Sequence, residues 1–259
     1  MDITIIGGLN WFGKGMLETT SAHNYIFNII DNCSSPNSCK SIFENQDRYR
    51  HCPVEHLRAI IQQTQFVIFN ISSNPDIIIN NEINNLFFKA CLLCKEFDKK
   101  IIFSLDADEY TNYYKNMVIN KLGCRYTCIQ HNSNIIGPMK KRDKIEDLIY
   151  YLSTMNRVDI KSQEFRYTTT IQVIHTYLQA LAIDGYVQLP YQTINESSIF
   201  YTIQNKLPKD KYLYYRIDGE IYKQLVLEDY IYPLVEKYFK INLSNLSNST
   251  FSTFGTFSI

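Results

Sequence analysis

Gly7, Gly8 and Gly13 punctuate the stretch IIGGLNWFGKG, where an apolar run gives way to a helix-like segment. A strand that ends in a glycine-rich turn and enters a helix points backbone N–H groups at an anion. Bare backbone there lets a pyrophosphate come close. Asn10, Trp11 and Phe12 complete the turn. Asn enters left-handed backbone more readily than most residues, so Asn10 is expected to keep the turn while its side chain crowds a bound pyrophosphate. Asp31 ends the next apolar run, NYIFNIID, 18 residues after Gly13. A carboxylate at that place accepts hydrogen bonds from the ribose hydroxyls of an adenosine and repels a 2′-phosphate, which favours NAD, with NADP as the alternative. Alone, each feature is an ordinary βα turn or strand end. Together they point to a dinucleotide.

Other residues with chemical potential carry less. Cys91-Leu-Leu-Cys94 has the C-x-x-C spacing, but it lies in an apolar helical stretch with no second pair, which fits core thiols better than zinc or redox chemistry. Five dispersed histidines suggest no metal centre. The tyrosines of YLYYR have no basic patch beside them, so packing explains them better than stacking on nucleic acid.

The elements that must position the turn follow from pattern. Strand-like runs ITIIGG, NYIFNIID, QFVIFNIS, KKIIFSLD and RYTCIQHN alternate with helix-like stretches GKGMLETTSAH, PVEHLRAIIQQT, 81–97 and YTNYYKNMVINKLG. Such alternation, with near-continuous apolar strands, predicts an α/β fold: a doubly wound, Rossmann-like parallel sheet covered on both faces. After Pro138 the pattern loosens. KIEDLIYYLSTMN, TTTIQVIHTYLQALA and 230–239 read as helices among short strands. The expected division is a dinucleotide domain over 1–160, a smaller C-terminal substrate region over 161–240, and a flexible Ser/Asn/Thr-rich tail over 241–259.

The totals agree with a soluble globular protein. Across 259 residues, 26 basic and 26 acidic side chains cancel, which argues against a nucleic-acid surface. No apolar run reaches the roughly 18 residues a membrane span needs. Seven cysteines, an odd number, suit free thiols in a reducing compartment, and with no secretory signal the expected location is cytoplasmic.

In these same residues the chain resembles the extended short-chain dehydrogenase/reductases, the nucleotide-sugar epimerase, dehydratase and reductase group. IIGGLNWFG is similar to that group's TGGxGFIG turn, with Asn10 at the middle glycine. NIIDN, with Asp31 and Asn32, resembles its second strand end. QDRYR resembles the acid-containing loop that holds adenine, which implies Asp47 and Arg48. FVIFNIS looks like its fourth strand, with Asn70, Ile71 and Ser72 beside the cofactor. Asn84, 20 residues before Ser104, matches the family's helix Asn. CIQHNSNIIGP is similar to the sixth-strand motif RxSNxYGP, which implies a sugar site at His131, Asn132 and Asn134. EFRYTTTIQVIHTYLQAL resembles the segment leading into the helix that borders that site.

The resemblance implies an NAD(P)-dependent keto-sugar reductase or epimerase acting on a nucleotide-sugar, with homodimerisation through the fourth and fifth helices as a family trait. Its catalytic pattern is broken here. The family uses a Tyr four residues before a Lys, plus a Ser or Thr at the fifth strand end; the Lys lowers the pKa of the phenol. Lys115 fits the Lys, but Thr111 stands four residues before it, and the Ser/Thr position falls near Ser104 to Asp106. Three readings stay open. A neighbouring phenol moves the proton (Tyr110, Tyr113 or Tyr114), with Tyr110 favoured if it sits on a loop above the helix start. A carboxylate does so (Asp106 or Asp108). Or the site binds without chemistry, as a sensor or partner subunit of the same fold.

Overall fold

A computed structural model describes residues 1–31, 47–71, 77–105, 109–130, 133–137, 143–154, 158–161, 163–208, 215–220 and 222–240. Along the chain these form β1 (Asp2–Ile6), α1 (Trp11–Thr19), β2 (Ile26–Ile30), β3 (Tyr49–Cys52), a 3-10 turn (Val54–His56), α2 (Leu57–Gln63), β4 (Phe66–Phe69), α3 (Ile77–Glu96), β5 (Lys100–Ser104), α4 (Glu109–Leu122), β6 (Tyr126–Gln130), β7 (Asn134–Ile136), α5 (Lys144–Thr154), β8 (Val158–Lys161), β9 (Glu164–Thr169), α6 (Thr170–Ala180), β10 (Gly185–Gln188), β11 (Gln192–Asn195), α7 (Glu196–Lys206), β12 (Tyr215–Asp218) and α8 (Glu228–Phe239).

Seven strands make one sheet in the order β10-β6-β5-β4-β1-β2-β3. Every neighbouring pair is parallel. The chain winds outward from β1 through β2 to β3, then crosses back to β4 on the other side of β1. The order therefore reverses between β1 and β4, where open α/β sheets bind their ligands outside the carboxyl ends of the strands. Ile6 lies opposite both Ile30 and Phe69, and Ile30 opposite Cys52, so β1 to β4 end on one common edge.

Alternation along the strands splits the core in two. Ile3, Ile5, Phe27, Ile29 and Ile68 face α1 and α6, meeting Phe12, Met16, Val173 and Tyr177. Ile6, Ile30, Phe69, Ile101 and Phe103 face α2, α3 and α4, meeting Ile61, Phe87, Cys91, Cys94 and Val118. The Phe87 ring lies edge-on to Phe69 at 5.1 Å and to Phe103 at 5.2 Å. Burying each such ring contributes about 2–3 kcal/mol. Both C-x-x-C thiols are fully buried here, where burial pushes Cys94 above the ordinary thiol value, as expected of core cysteines.

The opposite edge of the sheet, where strands begin, is closed by two cations. Lys100 is buried at the start of β5, pairs with Asp184 at 3.0 Å, and donates to the carbonyls of Ala180 (2.8 Å), Leu181 (3.3 Å) and Ile183. These carbonyls lie at and just after the end of α6, and the Thr127 hydroxyl also donates to those of Ala180 and Ile183. Arg48 does the same for α1, donating to the carbonyls of Leu17 (2.8 Å), Thr20 (2.7 Å) and His23 (3.1 Å).

The compact units do not divide at residue 160. The first joins Met1–Lys141 with Arg166–Thr193 and the second joins Arg142–Phe165 with Ile194–Ile259. The cause is β10, which adds to the main sheet beside β6, and α6, which covers one face of that sheet. In the second unit Asp143 caps α5 through the Ile145 and Glu146 N–H groups, both at 2.9 Å, and also accepts from the Tyr230 hydroxyl of α8. Glu146 accepts from Lys237 at 3.0 Å and from the Tyr238 hydroxyl at 2.6 Å, which ties α5 to α8 again. The tail 241–259 lies outside the described residues.

Candidate functional site

The glycine turn sits at the carboxyl end of β1, beside the reversal of strand order. Gly7 has φ +82°, and a Cβ there would collide with Ile71 and the Asn70 carbonyl. Only glycine holds that conformation without cost. At Gly13 a Cβ would run into the Gly8 carbonyl oxygen, so this glycine lets the start of α1 close onto the turn. Asn10 is not left-handed. Its φ of −149° is extended, and it caps α1: Oδ1 accepts from the Phe12 N–H at 2.9 Å, and Nδ2 donates to the Gly7 carbonyl at 3.0 Å. The strained position of the turn belongs to Gly7, and Asn10 serves as an N-cap, its preferred role. The Phe12 side chain is in the core against Tyr177, and Trp11 packs at the edge of the same cluster, so both face the turn through their backbone alone.

Asp31 follows β2 on the same edge. Its Oδ2 accepts from the Leu9 N–H at 3.0 Å, which fastens the carboxylate to the turn. Burial pushes its pKa up, while that hydrogen bond and the nearby His51 pull the other way. Asn70, after β4, donates from Nδ2 to the Gly7 carbonyl at 3.4 Å. Asp31, Asn70 and Ile71 border a cleft of about 1180 Å³ whose far walls include Val54, Glu55, Arg58, Glu82 and Lys89. The sequence reading missed these wall residues. The signal it had was Pro53 breaking the chain after β3, masked by the polar character of that strand.

Asp47 and Arg48 are not at this cleft. Both precede β3, so they lie at the edge where strands begin, and Arg48 is spent on the end of α1. A strand of four residues separates the two edges by roughly 13 Å. The cleft is bordered on this side by the residues after β3, Val54 and Glu55.

Lys115 lies on α4 and is buried, with Nζ donating to the Ser104 carbonyl at the end of β5, 3.0 Å away. It is not a solvated surface lysine. Its charge also draws down the Cys128 thiol, although burial outweighs this and the thiol is pushed up to about 12. The expected loop position of Tyr110 is not found. α4 begins at Glu109, so Tyr110 is already helical, and five residues put it about 140° around the helix from Lys115. Tyr113 is exposed, about 160° from Lys115, and Tyr114 packs against the core cluster of that face.

Asn84 is buried on α3, and its Oδ1 has no donor among the described residues. Asn134 opens β7 and donates from Nδ2 to the Arg166 carbonyl at 2.9 Å, joining that strand to its neighbour β9. Asn32, Ser72, Asp106, Asp108, His131 and Asn132 lie outside the described residues. Among the described residues no cluster of His, Cys, Asp or Glu is arranged for a metal, and no helix is long and apolar enough to cross a membrane.

No protein-family model matches the sequence, and no curated protein matches it. Solved structures do match in fold. The Bordetella bronchiseptica enzyme WbmH, in complex with NAD+, superposes with a TM-score of 0.68 at 11% identity, over 92% of this chain and 98% of that one. UDP-glucose 4-epimerase from Thermotoga maritima, with UDP-glucose, gives 0.66 at 15% identity, over 93% and 99%. TunA, an NAD-dependent NDP-hexosamine 5,6-dehydratase of tunicamycin biosynthesis, gives 0.68 at 13% identity, over 94% and 99%. At these identities the three share with this chain one fold.

Proposed function

We propose that this chain binds NAD across Gly7–Gly13, with the adenosine ribose on Asp31, and acts on a nucleotide-activated sugar as a keto-sugar reductase or epimerase. The observation that carries the reading is the Asp31 carboxylate fixed beside a glycine turn at the reversal of strand order. The residues present fit a dinucleotide: Gly7 and Gly13 allow a tight turn packed on Asn70, Ile71 and the Gly8 carbonyl, and α1 starts directly behind it. The fold neighbours with NAD or UDP-glucose support the ligand classes. Bound NAD would supply a hydride acceptor and donor. The chain's own residues would hold the ligands and move a proton. Lys115 at the end of β5 supplies positive charge, Ser104 orients the sugar, Tyr110 or Asp106 exchanges the proton, and His131, Asn132 and Asn134 border the sugar. A homodimer through the family's fourth and fifth helices, which correspond to α3 and α4 in this chain, is supported by exposed Phe88, Leu92, Tyr113 and Met117.

A second reading keeps the ligands and drops the reaction. Thr111 at the phenol position and the helical start at Glu109 favour it, because neither leaves a tyrosine on the Lys115 face of α4. Calorimetry with NAD and UDP-sugars, followed by absorbance of the reduced cofactor over a panel of keto-sugars, separates the two. Asp31→Ala is expected to weaken NAD by about 1–3 kcal/mol. Unchanged affinity would remove the ribose from Asp31, and binding without turnover would select the second reading.

A further inference from the structure

The side chain at the middle of the turn does more than crowd a ligand. The N–H groups at the start of α1 are the natural donors to a pyrophosphate, because the first turn of a helix leaves them without intrahelical partners. One of them, that of Phe12, is already taken by the Asn10 carboxamide oxygen at 2.9 Å. The same carboxamide reaches back to the Gly7 carbonyl at 3.0 Å, so both its ends are anchored within the turn. Its oxygen meets a helix N-terminal amide as a phosphoryl oxygen would, but without the charge.

We propose that Asn10 is an internal competitor for the pyrophosphate and sets this site's affinity and selectivity among adenine nucleotides; this rests on the dinucleotide reading of the turn. A ligand with a pyrophosphate must swing the carboxamide away from Phe12 and take over its N–H. A ligand without phosphate leaves the latch closed. The site therefore discriminates less between nucleoside and dinucleotide than a turn with glycine at residue 10. The cap is also replaceable, since glycine is itself a good N-cap and costs only a few tenths of a kcal/mol relative to Asn.

The test compares wild type, Asn10→Gly and Asn10→Asp by calorimetry with adenosine, ADP and NAD, with thermal melting as the check on folding. Asn10→Gly is expected to bind ADP and NAD about five- to tenfold more tightly, the weight of one competing hydrogen bond, with adenosine unchanged. Asn10→Asp keeps the acceptor for the Phe12 N–H, loses the donor to the Gly7 carbonyl and adds a negative charge; Asp caps a helix as well as Asn, so the variant is expected to fold and to bind ADP and NAD at least about fivefold more weakly. If wild type binds NAD and neither variant shifts it, or if adenosine shifts in parallel, Asn10 is a helix cap only and the inference falls. If no variant binds ADP or NAD, the dinucleotide reading itself fails and takes this inference with it.

Discussion

The two edges of the main sheet use polar side chains in opposite ways. Where strands begin, Lys100 and Arg48 are each spent on several helix carbonyls, and Lys100 has a carboxylate partner besides. Where strands end, Asp31, Asn10 and Asn70 are held by one or two hydrogen bonds to the backbone of a single turn. The first arrangement saturates its donors and leaves nothing to offer a ligand. The second keeps the turn in shape with few contacts. Polar side chains close to the backbone are thus heavily engaged at one edge and lightly engaged at the other, and only the direction of the strands tells the two apart.

Breaking the lower edge should give the largest effect. Lys100→Met removes a buried cation and its donation to the carbonyls of Ala180, Leu181 and Ile183, of which Ala180 and Ile183 keep the Thr127 hydroxyl. Losing a buried charged donor costs about 3 kcal/mol, while Asp184 is exposed and is left to water. Chemical denaturation is expected to show that loss while the folded fraction keeps the wild-type affinity for NAD. Arg48→Met should cost less, about 2 kcal/mol, since Arg48 is partly exposed and its three carbonyls can turn to water. It is the sharper test of the comparison, because QDRYR looks like an adenine-holding loop. NAD affinity unchanged in Arg48→Met would seat Arg48 at the lower edge in solution too, and a loss of tenfold or more would return it to the cofactor.

The place of Asp47 and Arg48 shows where the sequence was legible. β1, β2, β4, β5 and β6 are buried on both faces and therefore read as apolar runs, so the doubly wound sheet and the turn at Gly7 could be placed from sequence. β3 is an edge strand whose Arg50 and His51 face solvent, and no apolar run announces it. QDRYR, read as resembling a loop, carries Asp47 and Arg48 to the start of this strand. α7 was hidden for a different reason. Its buried face includes Ser197, Ser198 and Thr202, whose hydroxyls bond within the helix or to the segment before α8, so its periodicity looks polar. Asn10 was placed correctly in the turn, but its capping geometry depends on φ and ψ, which residue identity does not fix.

The smallest expected effect contrasts two carboxylates. Asp184 at the lower edge is held below the ordinary value of 3.8, first by its hydrogen bond and charge interaction with Lys100. A lowered carboxylate adds stability that is complete above 3.8 and is lost as pH falls through its folded value. Asp31 at the upper edge is pushed above 3.8 by burial, so its ionised form is penalised in the folded chain and its contribution to stability declines as pH rises through that window. Ribose hydroxyls need the ionised form as acceptor. NAD affinity should therefore start to fall on acidification while pH is still above 3.8, before Asp184 begins to yield. Asp31→Asn can still accept from the Leu9 N–H and carries no charge. It is expected to melt at or slightly above the wild-type temperature at pH 7, to bind NAD more weakly, and to lose the acid limb of the affinity profile. If the profiles run parallel from pH 7 to pH 4, the Asp31 carboxylate does not carry the ribose, and the upper edge is as purely structural as the lower.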